Sequence, residues 1–212
     1  MIKGLGDDDS VLRKKTSFGA LMRWLSILLV GLLPAMLAAK TVEGVKLPDQ
    51  ASVDGKVLVL NGAGIREKFF FDIYVAALYL PVKASDASQI LQADQLWQLT
   101  MHFLYSEVSK KKLDKGWDEG FAKNISITEL VKLKKGLQQF KDMFPDLQKG
   151  DEVALAYAPG KGVSVIINEV EKGTVAGADF GRSLAECVAG CRTRHRKFEE
   201  SAVRGPLKRN IW

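Results

Sequence analysis

Cysteine and histidine are almost missing from this chain, with two of each in 212 residues. Cys187 and Cys191 stand four apart on a predicted helix, where Cβ atoms lie about 5–6 Å apart against the roughly 4 Å of a relaxed disulfide. A disulfide-stapled fold is therefore excluded. With His195 the pair places three metal-ligand types on one helical face. A structural zinc site wants a fourth ligand and a different spacing, so no metal is expected, and no cofactor is expected either. The other histidine, His102, sits in the apolar stretch Thr100-Met101-His102-Phe103 with no serine or cysteine in a nucleophile motif beside it. It reads as a structural residue.

The body of the chain also lacks an excess of charge of either sign. The formal net charge of +6 resides in the ends: residues 1–39 carry five basic and three acidic groups, and residues 192–212 seven and two. Between them 19 basic groups face 20 acidic ones. A nucleic-acid binder gathers its positive charge on one face of its folded part, so no nucleic acid is expected as a partner.

No apolar run reaches the roughly 20 residues a membrane-spanning helix needs. The longest lies between Trp24 and Ala39, follows Arg13, Lys14, Lys15 and Arg23, contains Pro34 and ends in small residues. This is the pattern of a secretory signal. Residues 1–39 are accordingly read as a signal peptide cleaved after Ala38 or Ala39, with Met22 as an alternative start and an uncleaved anchor as the alternative fate. The expected location is exported, in the periplasm, with membrane contact only through this segment if it is retained. Residues 40–191 then form one domain, and residues 192–212 a basic tail. A chain of this length, 47% apolar, buries one ordinary core.

What is present is a sequence of short alternating segments. Thr41–Val45, Lys56–Leu60 and Trp97–Tyr105 read as strands, the last with Leu99, Met101 and Phe103 on one face. The aromatic stretch Lys68–Leu80, closed by Pro81, reads as one long strand buried on both faces, with a helix as the alternative that Val75-Ala76-Ala77-Leu78 leaves open. Helices are predicted over Ser85–Gln92, Ser109–Phe121 and Ile127–Met143. The last opens on Ser126-Ile127-Thr128-Glu129, a capping box, and carries an apolar stripe of Leu130, Leu133, Leu137, Phe140 and Phe144. Val153–Tyr157, Gly162–Ile167 and Gly173–Ala176 form an antiparallel meander, and a final helix begins at Asp179. Strands, helices, strands and helix in that order make an α+β fold, its helices on one side of a mostly antiparallel sheet.

Leu60-Asn61-Gly62-Ala63-Gly64-Ile65-Arg66, followed by Phe70-Phe71-Asp72-Ile73-Tyr74 and on to Tyr79-Leu80-Pro81, resembles the chalcone isomerase-like family, in particular its bacterial branch. Val108-Ser109, Trp117, Gly120-Phe121, Lys149-Gly150-Asp151, Tyr157, Pro159-Gly160, Gly173-Thr174 and Asp179-Phe180 follow in the order of that branch. The resemblance covers residues 40–186 and implies an open-faced β-sandwich enclosing a cleft. True isomerases close a flavanone ring there, and some relatives bind fatty acids instead. In both, the arginine after the glycines meets the anionic end of the ligand, a role that falls to Arg66. A guanidinium stays charged and grips a carboxylate or phenolate through two parallel hydrogen bonds.

The same resemblance assigns Tyr74 to the place of a strand threonine that polarises the substrate. The helix tyrosine of the isomerases falls near Ser109, with Tyr105 as a stand-in, and Lys112 matches a lysine of the isomerase site. Lys112 also belongs to Lys110-Lys111-Lys112, which reads equally as a solvated helix face. The ligand-binding candidates are thus Arg66, Tyr74, Ser109 and Lys112, and the catalytic ones Arg66, Tyr74 and Tyr105. This set is incomplete for ring closure, so binding of a small amphipathic carboxylate without turnover is expected. An intramolecular lyase acting on an unsaturated substrate, or a ligand-free accessory protein, are the alternatives. Phe69, Phe70 and Phe71 read either as pocket lining or as core. The ten residues from Cys187 to Arg196 admit codons that, displaced by one base, spell the family-like ending Val-Trp-Leu-Gly-Ala-Glu-Pro-Gly-Thr. A pair of compensating frame errors is therefore an alternative origin for both cysteines and His195.

Overall fold

The computed structural model describes residues 40–193, with side chains as far as Val188. The predicted signal segment, the tail beyond 193, and the side chains of Cys191 and His195 lie outside the described residues. The elements are β1 (Lys40–Val42), β2 (Val45–Leu47), β3 (Gln50–Val53), β4 (Lys56–Lys68), β5 (Phe71–Leu80), α1 (Ala87–Gln92), β6 (Trp97–Phe103) and β7 (Glu107–Val108). After them come α2 (Lys110–Asn124), α3 (Ile127–Asp142), β8 (Leu147–Gln148), β9 (Glu152–Ala158), β10 (Gly162–Ile167), β11 (Val170–Val175) and α4 (Ala178–Thr193).

Seven strands make one antiparallel sheet in the order β11-β10-β9-β6-β5-β4-β3. Three of the hairpins close through paired left-handed residues: Glu43-Gly44 at φ 44° and 79°, Asp54-Gly55 at 53° and 73°, and Asn168-Glu169 at 49° and 65°. This primed turn matches the right-handed twist of the strands it joins. The sheet curls, so that edge strand β3 approaches β6 and β9. Lys161, between β9 and β10, there forms an ion pair with Asp54, between β3 and β4.

Period-two alternation divides the strands between two cores. Toward the helices point Leu99, Met101 and Phe103 of β6, Val153, Leu155 and Tyr157 of β9, and Val163, Val165 and Ile167 of β10. They meet Phe121 of α2, Leu137 and Phe140 of α3, and Phe180 and Leu184 of α4. Each such side chain contributes roughly 1.5–3 kcal/mol by leaving water. Inside the curl, Val75, Ala77 and Tyr79 of β5 meet Val42, Leu47, Val53 and Leu58. The predicted faces of β6 and α3 are as expected, with Leu130 and Leu133 at the margin of the helix-side core.

The capping box is present with a change in its second half. Ser126 Oγ accepts from the Glu129 backbone N–H at 3.3 Å and itself donates to Glu129 Oε2 at 2.8 Å. At α2 the N-cap residue, Ser109, makes no side-chain cap bond. Asp146 Oδ1 takes the Lys110 backbone N–H instead, at 2.6 Å, which ties the start of that helix to the segment between α3 and β8.

The glycine-containing stretch differs from expectation. Gly62 and Gly64 lie inside β4, which runs on to Lys68, and β5 begins only at Phe71. The chain reverses through Phe69 and Phe70, with Phe69 at φ 58°. The length and aromatic content of Lys68–Leu80 predict instead a strand continuing through 68–71. The reversal is dictated by the ladder, which pairs Lys68 with Phe71.

Candidate functional site

Arg66 faces Tyr74 directly across the β4–β5 ladder, and residues so paired share a face of the sheet. That face is the one beneath the helices, because Tyr74 packs at the margin of the helix-side core. On its other side Tyr74 pairs with Phe103 of β6, the two rings 5.4 Å apart and tilted by 53°. Both Arg66 and Tyr74 are half-buried. The ladder slips between Arg66 and Glu67, leaving Ile73 as the extra residue of a bulge. Its carbonyl accepts from the backbone N–H groups of Leu104 at 2.9 Å and Tyr105 at 3.3 Å. Bulges of this kind re-aim side chains beside ligand sites.

The rows next to this pair are built of small residues at the β4–β5 end. Gly64 pairs with Ala76, which pairs with Met101, and Gly62 pairs with Leu78, which pairs with Leu99. Met101 and Leu99 are buried beneath the helices, whereas Gly62, Gly64 and Ala76 are only half-buried. A half-covered strip with almost no side-chain volume therefore adjoins a guanidinium and a phenol hydroxyl. Chemically, such a strip can floor an apolar chain, and the two polar groups beside it can meet a head group. Both glycines are interior residues of β4.

The remaining predicted residues are placed differently. Tyr105 lies just past β6, half-buried, its ring edge-on to Phe71 at 5.4 Å and 71°, on the tip side of Tyr74. Ser109 and Lys112 belong to the start of α2. Ser109 is half-buried, while Lys112 is exposed and donates its backbone N–H to the Ser109 carbonyl at 2.9 Å. Lys111 and Lys115 are exposed on the same helix, so the solvated-face reading fits Lys112. Phe69, Phe70 and Phe71 are neither core nor buried lining, being 71%, 87% and 55% exposed. Cys187 is buried in the helix-side core against Gly120, where an added Cβ would stand 2.5 Å from its sulfur.

Two polar arrangements were missed by sequence reasoning. His102 lies on the face away from the helices, its Nδ1 3.3 Å from Glu152 Oε2, which gives that strand histidine a structural partner. Tyr157, stacked on Trp97 at 5.8 Å, donates a short hydrogen bond to Asp94. Burial, and then the Asp94 carboxylate beside it, push the Tyr157 hydroxyl up to about 12. Burial does the same to Tyr79, also to about 12; its hydroxyl donates to the Pro48 carbonyl at 3.1 Å. Neither pairing could be found from spacing, since the partners are 50 and 63 residues apart.

Comparison with known proteins places this geometry. Among solved structures, a fatty-acid binding protein from Arabidopsis thaliana is similar with a TM-score of 0.54 at 18% identity, over 69% of this chain and 85% of that one. At that identity the likeness shows a shared fold. No curated protein sequence matches. The chalcone isomerase-like family matches residues 39–192, which takes in every element described, save the last residue of α4. With its curled antiparallel sheet and helices on one side, the chain belongs to the chalcone isomerase-like family.

Proposed function

We propose that this protein holds a small amphipathic carboxylate, with a long-chain fatty acid as the representative ligand, and does not convert it. The observation that carries this reading is the same-face pairing of Arg66 with Tyr74 beside the half-covered strip of Gly62, Gly64 and Ala76. A guanidinium forks onto a carboxylate, a phenol adds a third donor, and the strip accepts the chain. The fold shared with a fatty-acid binding protein supports the same ligand class. Turnover of a chalcone asks for donors positioned on both an enone oxygen and an attacking phenolate. Of the residues assigned to that task, Lys112 is exposed and Ser109 begins a helix, which favours binding over catalysis.

The apolar run of residues 24–39 behind Arg23 supports export as the setting, to be read by cell fractionation. The ligand is tested by native mass spectrometry and organic extraction of the purified protein, alongside a chalcone-consumption assay. Retained fatty acid, reduced by Arg66→Ala, with no loss of chalcone, is the expected result. Rapid chalcone consumption identifies a lyase. Lipid retention unchanged in Arg66→Ala identifies a protein without this site.

A further inference from the structure

The β4–β5 hairpin ends in a convex tip of three consecutive phenylalanines, exposed by 71%, 87% and 55% at Phe69, Phe70 and Phe71. They form the largest cluster of exposed apolar side chains among the described residues. Among the described residues, only Phe71 of the three has a ring partner, Tyr105, at its inner edge. The loop has two residues, and its first residue is at φ 58° while its second is not left-handed. This is the pattern of a turn that takes glycine at its first position. A bulky apolar ring there opposes both backbone preference and solubility, so its presence calls for a use outside the fold.

The shape and size of the patch select its occupant. The exposed rings amount to on the order of 400 Å², at ~150–250 Å² for a whole phenylalanine. A stable interface with a protein or a second copy takes about 800 Å² from each partner. Consecutive rings on a reversing ribbon also point in different directions, which a single flat protein face cannot meet. A bilayer has no area threshold and surrounds a convex tip. The flanking charges balance, Arg66 and Lys68 against Glu67 and Asp72. Electrostatic attraction to anionic lipid therefore has little to act on, and ring insertion is the available means.

We propose that this tip docks the protein on a lipid surface, Phe69 and Phe70 entering the boundary between headgroups and acyl chains. Arg66 lies on β4 three residues before Phe69, the first residue of the reversal, a separation of at most about 10 Å at ~3.4 Å per residue. Docking thus brings the guanidinium to within about 10 Å of the boundary at which a fatty-acid carboxylate sits, next to the strip proposed to accept its chain. The docking rests on the exposed rings alone, and its purpose, ligand exchange with the membrane, rests on the reading above.

The test uses the full chain carrying an environment-sensitive fluorophore on Phe70→Cys. Val82→Cys, 75% exposed and at the opposite end of β5, is the control, and the parent chain labelled through its own cysteines sets the background. On adding phosphatidylcholine vesicles, emission at position 70 is expected to shift to the blue and emission at 82 to stay. The shift is expected to be equal with 30% phosphatidylglycerol and in 0.5 M salt. Phe69→Gly/Phe70→Ser, compared by transfer of a fluorescent fatty acid to vesicles, is expected to slow transfer at least tenfold. The melting temperature should hold or rise, because glycine suits the turn. No blue shift at 70, or a shift driven by protein concentration without vesicles, overturns the proposal, the latter identifying self-association. If the fatty acid does not bind at all but position 70 still shifts, the ligand reading fails and the docking stands.

Discussion

Arg66 and Tyr74 are cross-strand neighbours on the helix-facing side of the sheet, one step from a strip of glycine and alanine. A ladder pair has its register fixed by every hydrogen bond along the two strands, so this geometry exists before any ligand arrives. If the pair receives a head group as proposed, its Cβ spacing needs no rearrangement on binding, which lowers the ordering cost.

The strip itself makes a prediction. Gly64→Val places a branched side chain beside Arg66, between the sheet and whatever lies on it. Fatty-acid affinity should fall at least tenfold, while urea unfolding changes by less than ~1 kcal/mol, since β-branched residues suit strands. Titration calorimetry and urea denaturation measure the two.

The contact of Gly120 with Cys187 sets how closely α2 and α4 approach. With only 2.5 Å between an added Cβ and the sulfur, Gly120→Ala should destabilise by about 1–3 kcal/mol through overpacking. Adding Cys187→Ala removes the obstructing atom and should recover part of that loss. Chemical denaturation of the single and double variants gives the coupling.

Tyr79 and Tyr157 predict an alkaline limit. Each keeps its proton to about pH 12 in the folded chain against an ordinary value of 10.0. Their contribution is fully present below pH 10 and is lost as pH rises from 10 through 12, because the unfolded chain releases the protons first. The urea midpoint should fall across that window, and less steeply in Tyr157→Phe.

Two helix and surface features separate large from small effects. Ser126→Ala removes the cap of α3 and should cost about 1 kcal/mol. Lys161→Ala breaks the ion pair with Asp54, whose side chains are 63% and 46% exposed, and should cost less than ~1 kcal/mol, falling further with salt. Thermal melts of both variants at low and high salt distinguish the two.

Where a segment's own pattern and its tertiary role agree, the sequence was enough. The β6 alternation, the α3 stripe and the β10 bounds follow from periodicity, because burial on one face leaves a period in the residues. β3, Gln50-Ala51-Ser52-Val53, was passed over because it is a polar edge strand with a single buried residue. β4 runs past Leu60, the bound its pattern predicts because glycine ends strands more often than it continues them. The Phe69-Phe70 reversal was hidden because the turn opposes its residues' preferences, and only the Lys68–Phe71 pairing reveals it. Arg66 is a candidate through the family resemblance and not through its own surroundings, since an arginine near a hairpin is usually solvated. Its shared face with Tyr74 depends on register, which a one-residue slip would invert.

The most direct measurement compares oleate with oleyl alcohol, which share a chain and differ in the head group, on the parent chain and on Arg66→Ala by titration calorimetry. If Arg66 anchors a carboxylate, the variant loses at least tenfold in oleate affinity, in keeping with the ~1.5–3 kcal/mol of a charged hydrogen bond, and binds the alcohol as before. Equal oleate affinity in both proteins, or an equal loss for both ligands, would contradict the account.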